Sequence, residues 1–591
     1  MTEVNGRHNS VNNTNNQYIS LGIFMFKKIA IVGVAIAAAY LGSTWYVGKT
    51  AQEQLVKNAE LDNARLKQYL GDLVYYSVED YQAGLFTSTA TYRLNINLPN
   101  FKRQIDQRYT IQNGPLPWAD LQQGDFAPKR YSYDAELVKN DFIEPLFSLA
   151  DKPMTQHAKV GFDNSESGTY QITPIKVDKT HDEAQFKIDF AGFNTEYTLH
   201  REPYKIQSHG TIPSLSLEVG DQDIKFDLIA KDWVIESNYD LSQDRVNGQT
   251  KSTVGSMQYL IDDIKIDLNG LDAQDQIQDD SQLISVQSQT KAKELIIDDM
   301  NLGGLEYQVA YNKIDSTAGK QIFNIVMALV KEAAMNIDTF SEKKFEEMIM
   351  REALKLGALS ITALSHGPEL QYGPIRLFTD KGSVDFAMKL GFLPPNLSKL
   401  NEPGFDEYSY MLSLLKHAEF ELSGNAAWVE DFSRKLTLLA YKKAKLGEDA
   451  ANDFNFDKIS QMLEQGLVDS ELFKKEGERV VLKVSVKAPE NKTLEDVETV
   501  TVNGQEYPFN EETAQLFNTR LEKADEILMD NGFYNAVELI VSPLQFEDAI
   551  DDYAELEESE QESLLDCQPD DQECLELEQE MQKALESATA Q

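Results

Sequence analysis

Cysteine is scarce in this chain, which has only two among its 591 residues. Two cysteines cannot build a disulfide scaffold or a cysteine-rich zinc protein. Basic residues are also few, because 55 Lys and Arg stand against 97 Asp and Glu, for a net charge of −42. Nucleic-acid binding depends on Lys and Arg patches that displace counterions from phosphates. The charge balance therefore argues against nucleic acid as a partner.

The sequence motifs of the common enzyme classes are absent as well. There is no G-x-x-x-x-G-K-[ST] loop, H-E-x-x-H helix, G-x-S-x-G elbow or strand-linked G-x-G-x-x-G. The seven histidines are scattered along the chain. His209 and His366, each within Ser-His-Gly, are the best candidates for a catalytic site. Turn positions are favoured for both, since adjacent Ser and His side chains on a strand point to opposite faces.

An acidic cluster raises the question of a metal ion. It consists of Asp272, Asp275, Asp279 and Asp280. The central Gly and terminal Glu of an EF-hand calcium loop are missing from it, so a solvated loop is favoured over a calcium site. We expect no metal, no cofactor and no catalytic residue, and a non-enzymatic protein is favoured over an enzyme.

The clearest signal is a charge-free segment near the N-terminus. The nineteen residues Ile29–Val47 carry no charge, which is close to the length that crosses a bilayer as a helix. Lys27 and Lys28 precede the segment, and Trp45 and Tyr46 lie at its far end, where amphipathic rings settle at an interface. We expect a single transmembrane anchor in the bacterial inner membrane, with the rest of the chain in the periplasm.

Two alternatives to this anchor remain open. Ala37, Ala38 and Ala39 offer a site at which a signal peptide could be cleaved, although the apolar run continues further than such a peptide needs. Met25 also resembles a natural start, so either Met1 or Met25 begins the chain. In the longer form, the Asn-rich residues 1–24 should be disordered.

The body of the chain alternates between helical and strand patterns. A helical pattern over 50–76 predicts a stalk helix that packs on its own domain, in preference to a coiled-coil dimer. About ten alternating runs between 85 and 315 then predict antiparallel strands, separated in part by turns such as Asn247-Gly248 and Asn269-Gly270. Two mainly helical regions, 319–360 and 405–475, follow. Asn503-Gly504 predicts a late hairpin.

These patterns predict an α+β fold: one N-terminal transmembrane helix, then a large, mainly antiparallel meandering sheet with packed helices. The predicted divisions are a disordered extension (1–24), an anchor (25–48), a stalk helix (49–80), a β-rich domain (81–318), an α+β second domain (319–510), a helical segment (511–546) and an acidic tail (547–591).

The tail has seventeen acidic residues and one basic residue, which predicts a solvated helix or a disordered segment. Its two cysteines, Cys567 and Cys574, are candidates for a small disulfide loop if the tail lies outside the cytoplasm. We expect the tail to contribute little to the folding of the body.

Several short motifs occur in a characteristic order. They are Trp45-Tyr46-x-Gly48-Lys49, the run YQAGLFTS at 81–88, GPLP at 114–117, Gln465-Gly466 and Val502-Asn503-Gly504. In this order, over about 25–508, the chain resembles the YdgA-like family of Gram-negative bacteria. The resemblance implies an inner-membrane-anchored protein that faces the periplasm, with no assigned function and no catalytic residues to transfer. The polar head and the acidic tail depart from the family pattern.

Together these observations predict a binding protein of the bacterial envelope. A long antiparallel meander can form a groove whose apolar face accommodates a lipid or another envelope protein, or its apolar residues can simply form a dry core. The partners we expect are the inner membrane through the N-terminal helix, a lipid or envelope-protein ligand, and a second copy of the chain as a homodimer. An envelope hydrolase and a self-associating scaffold are the alternatives.

Overall fold

The computed structural model describes residues 41–530, with gaps at 68–69, 99–100, 123, 148–149, 182–183, 221–224, 243–244, 262–263, 336–341, 396–409, 411–412, 444–455 and 490–493. Residues 1–24, Lys27, Lys28, most of the predicted anchor and the acidic tail with Cys567 and Cys574 lie outside the described residues. The expectations for these segments stay predictions. Among the residues that are described, we find no helix that combines the length and the apolar character needed to span a bilayer.

The described chain opens with helix α1, over residues 41–67. Ala51, Leu55 and Ala59 recur every four residues and are all buried. That spacing places them on one side of a helix. The buried side packs on the sheet strands that follow, against tyrosines and small apolar residues. The helix is therefore a packed part of the body.

The first part of the sheet is a set of short and medium strands. They are β1 (Val74–Gln82), β2 (Thr87–Leu98), β3 (Phe101–Asn113), β4 (Tyr131–Leu137), β5 (Met154–Val160), β6 (Glu166–Ile172), β7 (Ile175–His181), β8 (Ala184–Phe190) and β9 (Phe193–Arg201), with the short helix α2 (Trp118–Gln122) between β3 and β4. Strands β1 to β6 pair in sequence order, and β6 then pairs with β9.

The next strands are longer. They are β10 (Tyr204–Gly220), β11 (Lys225–Asp240), β12 (Asn247–Ile261), β13 (Ile264–Asp279), β14 (Leu283–Ile297) and β15 (Met300–Asp315). The first half of β10 pairs with β9 and its second half with β8. From β10 onward each strand pairs antiparallel with the next.

Helices and shorter strands complete the described chain. They are α3 (Ser316–Met335), α4 (Glu342–Ala363), β16 (Glu369–Thr379), β17 (Gly382–Phe392), β18 (Leu415–Asn425), α5 (Ala426–Lys443), α6 (Phe456–Asp469), β19 (Lys474–Glu476), β20 (Arg479–Lys487), β21 (Thr499–Val502), β22 (Gln505–Pro508) and α7 (Glu511–Asp530). Strand β15 pairs with β16 across the division predicted at 318/319, so the sheet is continuous there.

The predicted large antiparallel meander with several helices is confirmed, but two local expectations are wrong. Asn247-Gly248 and Asn269-Gly270 are not turns, because the first pair begins β12 and is paired with β11, and the second pair lies inside β13. Gly270 has a φ of +61°, which a glycine adopts without strain, so the strand passes through this position. The region 405–475 is also less helical than expected, since it contains β18 (Leu415–Asn425). The hairpin at Asn503-Gly504 is confirmed between β21 and β22.

Candidate functional site

The long strands carry an apolar face. Residues that pair directly across antiparallel strands point to the same side of a sheet. One such row crosses eight strands and consists of Val177, Ile188, Leu217, Leu228, Tyr259, Ile266, Ile297 and Met300. The neighbouring row crosses seven and consists of Ile175, Phe190, Leu215, Ala230, Met257, Leu268 and Leu295. We call these two rows the apolar face.

The apolar face is wide and only partly covered. Strands lie about 4.8 Å apart, so eight of them span about 34 Å. Ala230 is fully buried, but most members of the two rows are half-buried. At the edge of the face, Phe186 and Val219, which pair with each other, are 40% and 38% exposed. The face therefore presents apolar side chains that the body does not fully enclose.

The opposite side of the same strands is polar. Glu218 on β10 alternates with Leu217 and pairs with Lys187 of β8 at 3.3 Å. On β13, Lys265 and Asp267 flank Ile266 and form an ion pair at 2.8 Å. This period-two alternation gives the sheet one apolar and one charged side.

Helices cover the far end of the apolar face. Trp428 and Phe432 of α5 stack with ring centroids 4.6 Å apart. Phe432 packs against the buried Leu302 of β15, as do Leu295 of β14 and Met300 of β15. The face is thus closed at its β14–β15 end by an aromatic pair.

A second feature lies between α1 and the first strands. It is a cavity of about 350 Å³, which we call the tyrosine cavity. Its walls include a ladder of tyrosine rings: Tyr76 to Tyr92 at 5.0 Å, Tyr92 to Tyr109 at 5.5 Å and Tyr109 to Tyr133 at 4.9 Å between centroids. Such tilted and offset ring pairs are favourable beyond the area that they bury.

Glu166 of β6 is the polar centre of the tyrosine cavity. It is buried, and its Oε1 accepts hydrogen bonds from the hydroxyls of Tyr133 and Tyr197, both at 2.7 Å. Its Oε2 accepts a hydrogen bond from Nη1 of Arg201 at 2.8 Å. Three donors therefore satisfy this carboxylate, as a buried charge requires.

Helix α1 contributes two charged side chains to the same cavity. Asp62 Oδ1 lies 3.5 Å from Nε of Arg201, which is on β9. The guanidinium of Arg65 stacks on the ring of Tyr204, 3.6 Å from its centroid. The seam between helix and sheet is therefore polar and charged at its centre.

Burial controls protonation in the cavity. It raises the pKa of Tyr92 and of Tyr133 well above that of a free phenol, so these hydroxyls remain neutral donors. Burial also raises the pKa of Asp62, although Arg201 opposes the effect. For Arg201, burial lowers the pKa, but Glu166 and Asp62 outweigh it and the net pKa is raised. The neutral tyrosine hydroxyls donate to Glu166, and Arg201 contacts both Glu166 and Asp62, so these contacts hold helix α1 and the first strands together.

Neither of the two Ser-His-Gly motifs has the geometry of a catalytic triad. His209 lies inside β10, not in a turn as expected, and its Nδ1 is 3.3 Å from Glu236. His366 follows α4, and its Nδ1 contacts Ser365 Oγ at 3.0 Å and Asp315 Oδ2 at 3.4 Å. A catalytic triad uses the two ring nitrogens for different partners. Here both partners meet the same nitrogen, so no proton relay can form.

The distance between His209 and His157 also argues against a metal site that uses both. His209 shares an open polar hollow of about 960 Å³ with His157. Strand pairing places His157 opposite Thr169, Thr169 opposite Glu196, and Glu196 opposite His209. Three strand spacings separate the histidines by about 14 Å, too far to share a metal ion.

The acidic cluster is not the solvated loop that the sequence favours. Asp272, Asp275 and Asp279 lie on β13, and only Asp280 follows it. Asp279 is buried, accepts a hydrogen bond from Ser316 Oγ and pairs with Lys320, both at 2.9 Å. It ties the start of α3 to the sheet. Across the described part of the chain, no group of three His, Cys, Asp or Glu is placed to hold a metal ion.

Sequence reasoning missed the tyrosine cavity. Glu166 and Arg201 are separated by 35 residues, so no local pattern joins them. The signal in hindsight is the repeated tyrosine on the inward side of β1 to β4, at positions 76, 92, 109 and 133. Of the predicted anchor flanks, Trp45 and Tyr46 are described and both are exposed on α1.

Comparison with known proteins gives a family and no activity. An uncharacterized protein of Haemophilus influenzae is 24% identical over 323 residues, which is 52% of this chain and 86% of that protein. Protein YdgA of Escherichia coli is 22% identical over 349 residues, 54% of this chain and 68% of that protein. The uncharacterized protein YihF of Escherichia coli is 25% identical over 236 residues, 35% of this chain and 49% of that protein. No solved structure matches.

The family model extends much further along the chain than these pairwise matches. It is described as a bacterial protein of unknown function, DUF945, and it matches residues 25–509. That range agrees with the region over which the short motifs resemble the YdgA-like family. The chain therefore belongs to the DUF945 family of bacterial proteins, to which the resemblance had pointed.

Proposed function

We propose that this chain is a non-enzymatic protein of the bacterial envelope that binds the acyl chain of a lipid on its apolar face. In this proposal the segment near Ile29–Val47 anchors the chain in the inner membrane and the body lies in the periplasm. The single observation that carries the proposal is the partly exposed pair of apolar rows across β7, β8 and β10 to β15.

The dimensions and chemistry of the face suit a hydrocarbon chain. About 34 Å of sheet width exceeds the length of a common acyl chain, and the rows offer no charged side chain along it. Each methylene group that leaves water is worth about 0.8 kcal/mol, so a long chain gains substantial free energy without any hydrogen bond. The charged opposite side explains how such a sheet can remain in an aqueous compartment.

An enzymatic alternative has weaker support. A hydrolase needs a nucleophile, a base and an orienting group in relay, and the nearest arrangement is Ser365, His366 and Asp315. Its two contacts at one ring nitrogen block that relay.

A self-associating scaffold has one observation in its favour. Helix α3 exposes Phe323, Val326 and Val330, which follow helical spacing on one side. A second copy of the chain would bury such a stripe. Native mass spectrometry of the chain would detect such a dimer.

Native mass spectrometry of the full chain, extracted in mild detergent, tests the proposal. We expect a lipid mass to stay bound to the wild-type chain. Leu217→Asn, in the middle of the apolar face, should lower the lipid-bound fraction at least fivefold. Ser216→Asn is the matched control, because Ser216 is the next residue on β10 and points to the polar side.

The comparison of the two variants separates a site on the body from lipid that merely surrounds the anchor. Lipid around the anchor would be unaffected by either variant, and that result would contradict the proposal. A dimer mass in the wild-type spectrum, without lipid, would favour the scaffold instead. Circular dichroism should first show that both variants keep the wild-type fold.

A further inference from the structure

Three connections meet at one end of the first strands. Strands β1, β3 and β5 end there, at Gln82, Asn113 and Val160. The backbone N–H of Asn113 donates to the carbonyl of Phe86 in the β1–β2 turn at 2.8 Å. The backbone N–H of Arg130, at the end of the β3–β4 connection, donates to the carbonyl of Val160 at 2.8 Å. The three connections are therefore neighbours.

The start of helix α1 lies at this same end. The hydroxyl of Tyr81 donates to the carbonyl of Gly48 at 2.6 Å. Gly114 packs so closely on Thr44 that a Cβ at position 114 would lie 2.7 Å from the Thr44 Oγ1. Thr44 and Val47 are buried against the body. The helix is thus fixed to this end from about residue 44.

Large apolar side chains are exposed on all three connections. Trp118 and Phe126 of the β3–β4 connection are 67% and 70% exposed, and Phe162 of the β5–β6 turn is 63% exposed. The set, which we call the aromatic rim, consists of Leu85, Phe86, Trp118, Phe126 and Phe162. A surface with this many exposed aromatic residues marks an interaction site.

The connection that carries Trp118 and Phe126 is firmly held. Lys129, which is buried, donates from Nζ to Asp120 at 2.9 Å and to Asp125 at 2.6 Å. Asp125 also receives a hydrogen bond from Lys159 of β5 at 2.6 Å. These buried and half-buried ion pairs hold the backbone beneath the rim in place. The exposed aromatic side chains therefore lie on an ordered connection.

We propose that the aromatic rim rests in the interfacial layer of the lipid bilayer. Trp and Phe favour this layer, where an apolar ring can leave water without entering the hydrocarbon core. The charge-free sequence at 29–40 leads directly into α1 at the rim end, and residues 41–47 join it to the body as continuous helix. The exposed Trp45 and Tyr46 lie on that helix. With the body fixed from Thr44, this end is the one that an anchored chain holds against the membrane.

The inference rests on the proposed anchor and adds the orientation of the body. The end of the first strands that includes Gln82, Asn113 and Val160 would face the membrane, while the opposite end, where β1 begins at Val74, would point away from it. A second copy of the chain or another protein covering the rim would be a different outcome.

Fluorescence quenching in lipid nanodiscs tests the orientation. The full chain is placed in discs of phosphatidylethanolamine and phosphatidylglycerol, with or without brominated acyl chains, which quench tryptophan on contact. The signal of Trp118 is the difference between the wild type and Trp118→Phe, a change that keeps the rim apolar. We expect brominated lipid to quench most of this difference signal and iodide in solution to quench little.

Variants of the rim residues provide a second test of the orientation. Phe126→Asp combined with Phe162→Asp should lift the rim, so that quenching of Trp118 by brominated lipid falls at least threefold and quenching by iodide rises. Phe323→Asp is the control, because Phe323 is also an exposed phenylalanine, at 51%, but lies on α3. Phe323→Asp should change the quenching of Trp118 neither by brominated lipid nor by iodide.

Each outcome decides the question. Trp118 quenched by iodide but not by brominated lipid would overturn the inference, even if the chain co-elutes with the discs and the anchor is correct. Trp118 shielded from both quenchers would mean that protein covers the rim, which also overturns it. A chain that fails to co-elute with discs would remove both the anchor and the inference.

Discussion

The Asp62 carboxylate on helix α1 lies 3.5 Å from Nε of Arg201, while Nη1 of the same arginine donates to Glu166 at 2.8 Å. Arg201 therefore stands between two carboxylates, one from the helix and one from the sheet. The shorter contact, with better hydrogen-bond geometry, is the one within the sheet. The two carboxylates should therefore contribute differently to the stability of the fold, and variants of each can measure the difference.

Glu166→Gln should destabilise the fold. The change removes the charge that balances Arg201 and weakens acceptance from the two tyrosine hydroxyls. Breaking a buried ion pair from one side commonly costs about 3 kcal/mol of unfolding free energy. Urea denaturation at pH 7 measures the loss. Asp189→Asn is the control, because Asp189 pairs with Lys176 at 2.6 Å with both side chains more than half exposed. An exposed pair contributes little.

If Glu166→Gln and Asp189→Asn unfold at the same urea concentration as the wild type, the cluster around Glu166 is not cohesive. That result would contradict the conclusion that the contacts of Glu166 and Arg201 hold helix α1 and the first strands together.

Asp62→Asn should behave differently from Glu166→Gln. Burial raises the pKa of Asp62, so the fold favours its neutral form, and the charged form is a cost at neutral pH. Replacement by neutral Asn should therefore leave stability at pH 7 unchanged or slightly higher. As pH falls through the raised pKa, the wild-type carboxyl takes up a proton and the cost disappears. The advantage of the variant should shrink accordingly between pH 7 and pH 4.

Urea denaturation of wild type and Asp62→Asn across that pH range checks the sign. A variant that is strongly destabilised at pH 7, and regains wild-type stability only in acid, would show that the ion pair with Arg201 outweighs burial.

The hairpin between β21 and β22 predicts a contrast between two glycines. Asn503 and Gly504 have φ values of 51° and 84°, as a two-residue turn with both central residues in the left-handed region requires. Gly504→Ala should lower the free energy of unfolding by about 1 kcal/mol, because an added Cβ is strained there. Gly357→Ala is the matched change in helix α4, where a Cβ would meet nothing within 4 Å.

Gly357→Ala should raise the free energy of unfolding by up to about 1 kcal/mol, since Ala favours a helix more than Gly does. Thermal unfolding of the two variants should therefore move in opposite directions. Movement in the same direction would contradict the turn geometry at Asn503-Gly504.

Local patterns in the sequence were enough to predict the strands but not their full lengths. Alternation over SLSLEV at 214–219 and IKFDLIA at 224–230 places Leu217 and Leu228 on apolar sides, and the two residues do pair. The pattern lapses in mid-strand, as at Asp232, where a positive φ of 54° accompanies the change. Lys231 and Trp233, on either side of this position, pair with both neighbouring strands, so β11 continues past it, and no local pattern records those neighbours.

Local sequence patterns predict the candidate sites even less well than the strand lengths. A histidine beside a serine is visible in the sequence, but only the fold shows that His209 lies in a strand and pairs with Glu236. The contacts of Glu166 come from three residues on two other strands, β4 and β9, and Asp62 reaches the cluster from a helix. Such a cluster is assembled by long-range packing alone. The paired rows of the apolar face are intermediate, because each strand is predictable while the register between strands is not.

The order of strand pairing has a consequence for how the chain folds. Most strands bond to their neighbours in sequence, so the sheet can grow hairpin by hairpin with little loop-closure cost, a topology associated with fast folding. Helix α1 depends on contacts with residues much later in the chain. Lys57 reaches Glu202, 145 residues later in the chain. Of the described body, the helix is made first, yet it cannot settle until β9 and β10 exist. Helix α1 can therefore dock fully only after the strands up to β9 have formed. A truncation before β9 should leave α1 without Arg201 and Glu202, the charged partners of Asp62 and Lys57.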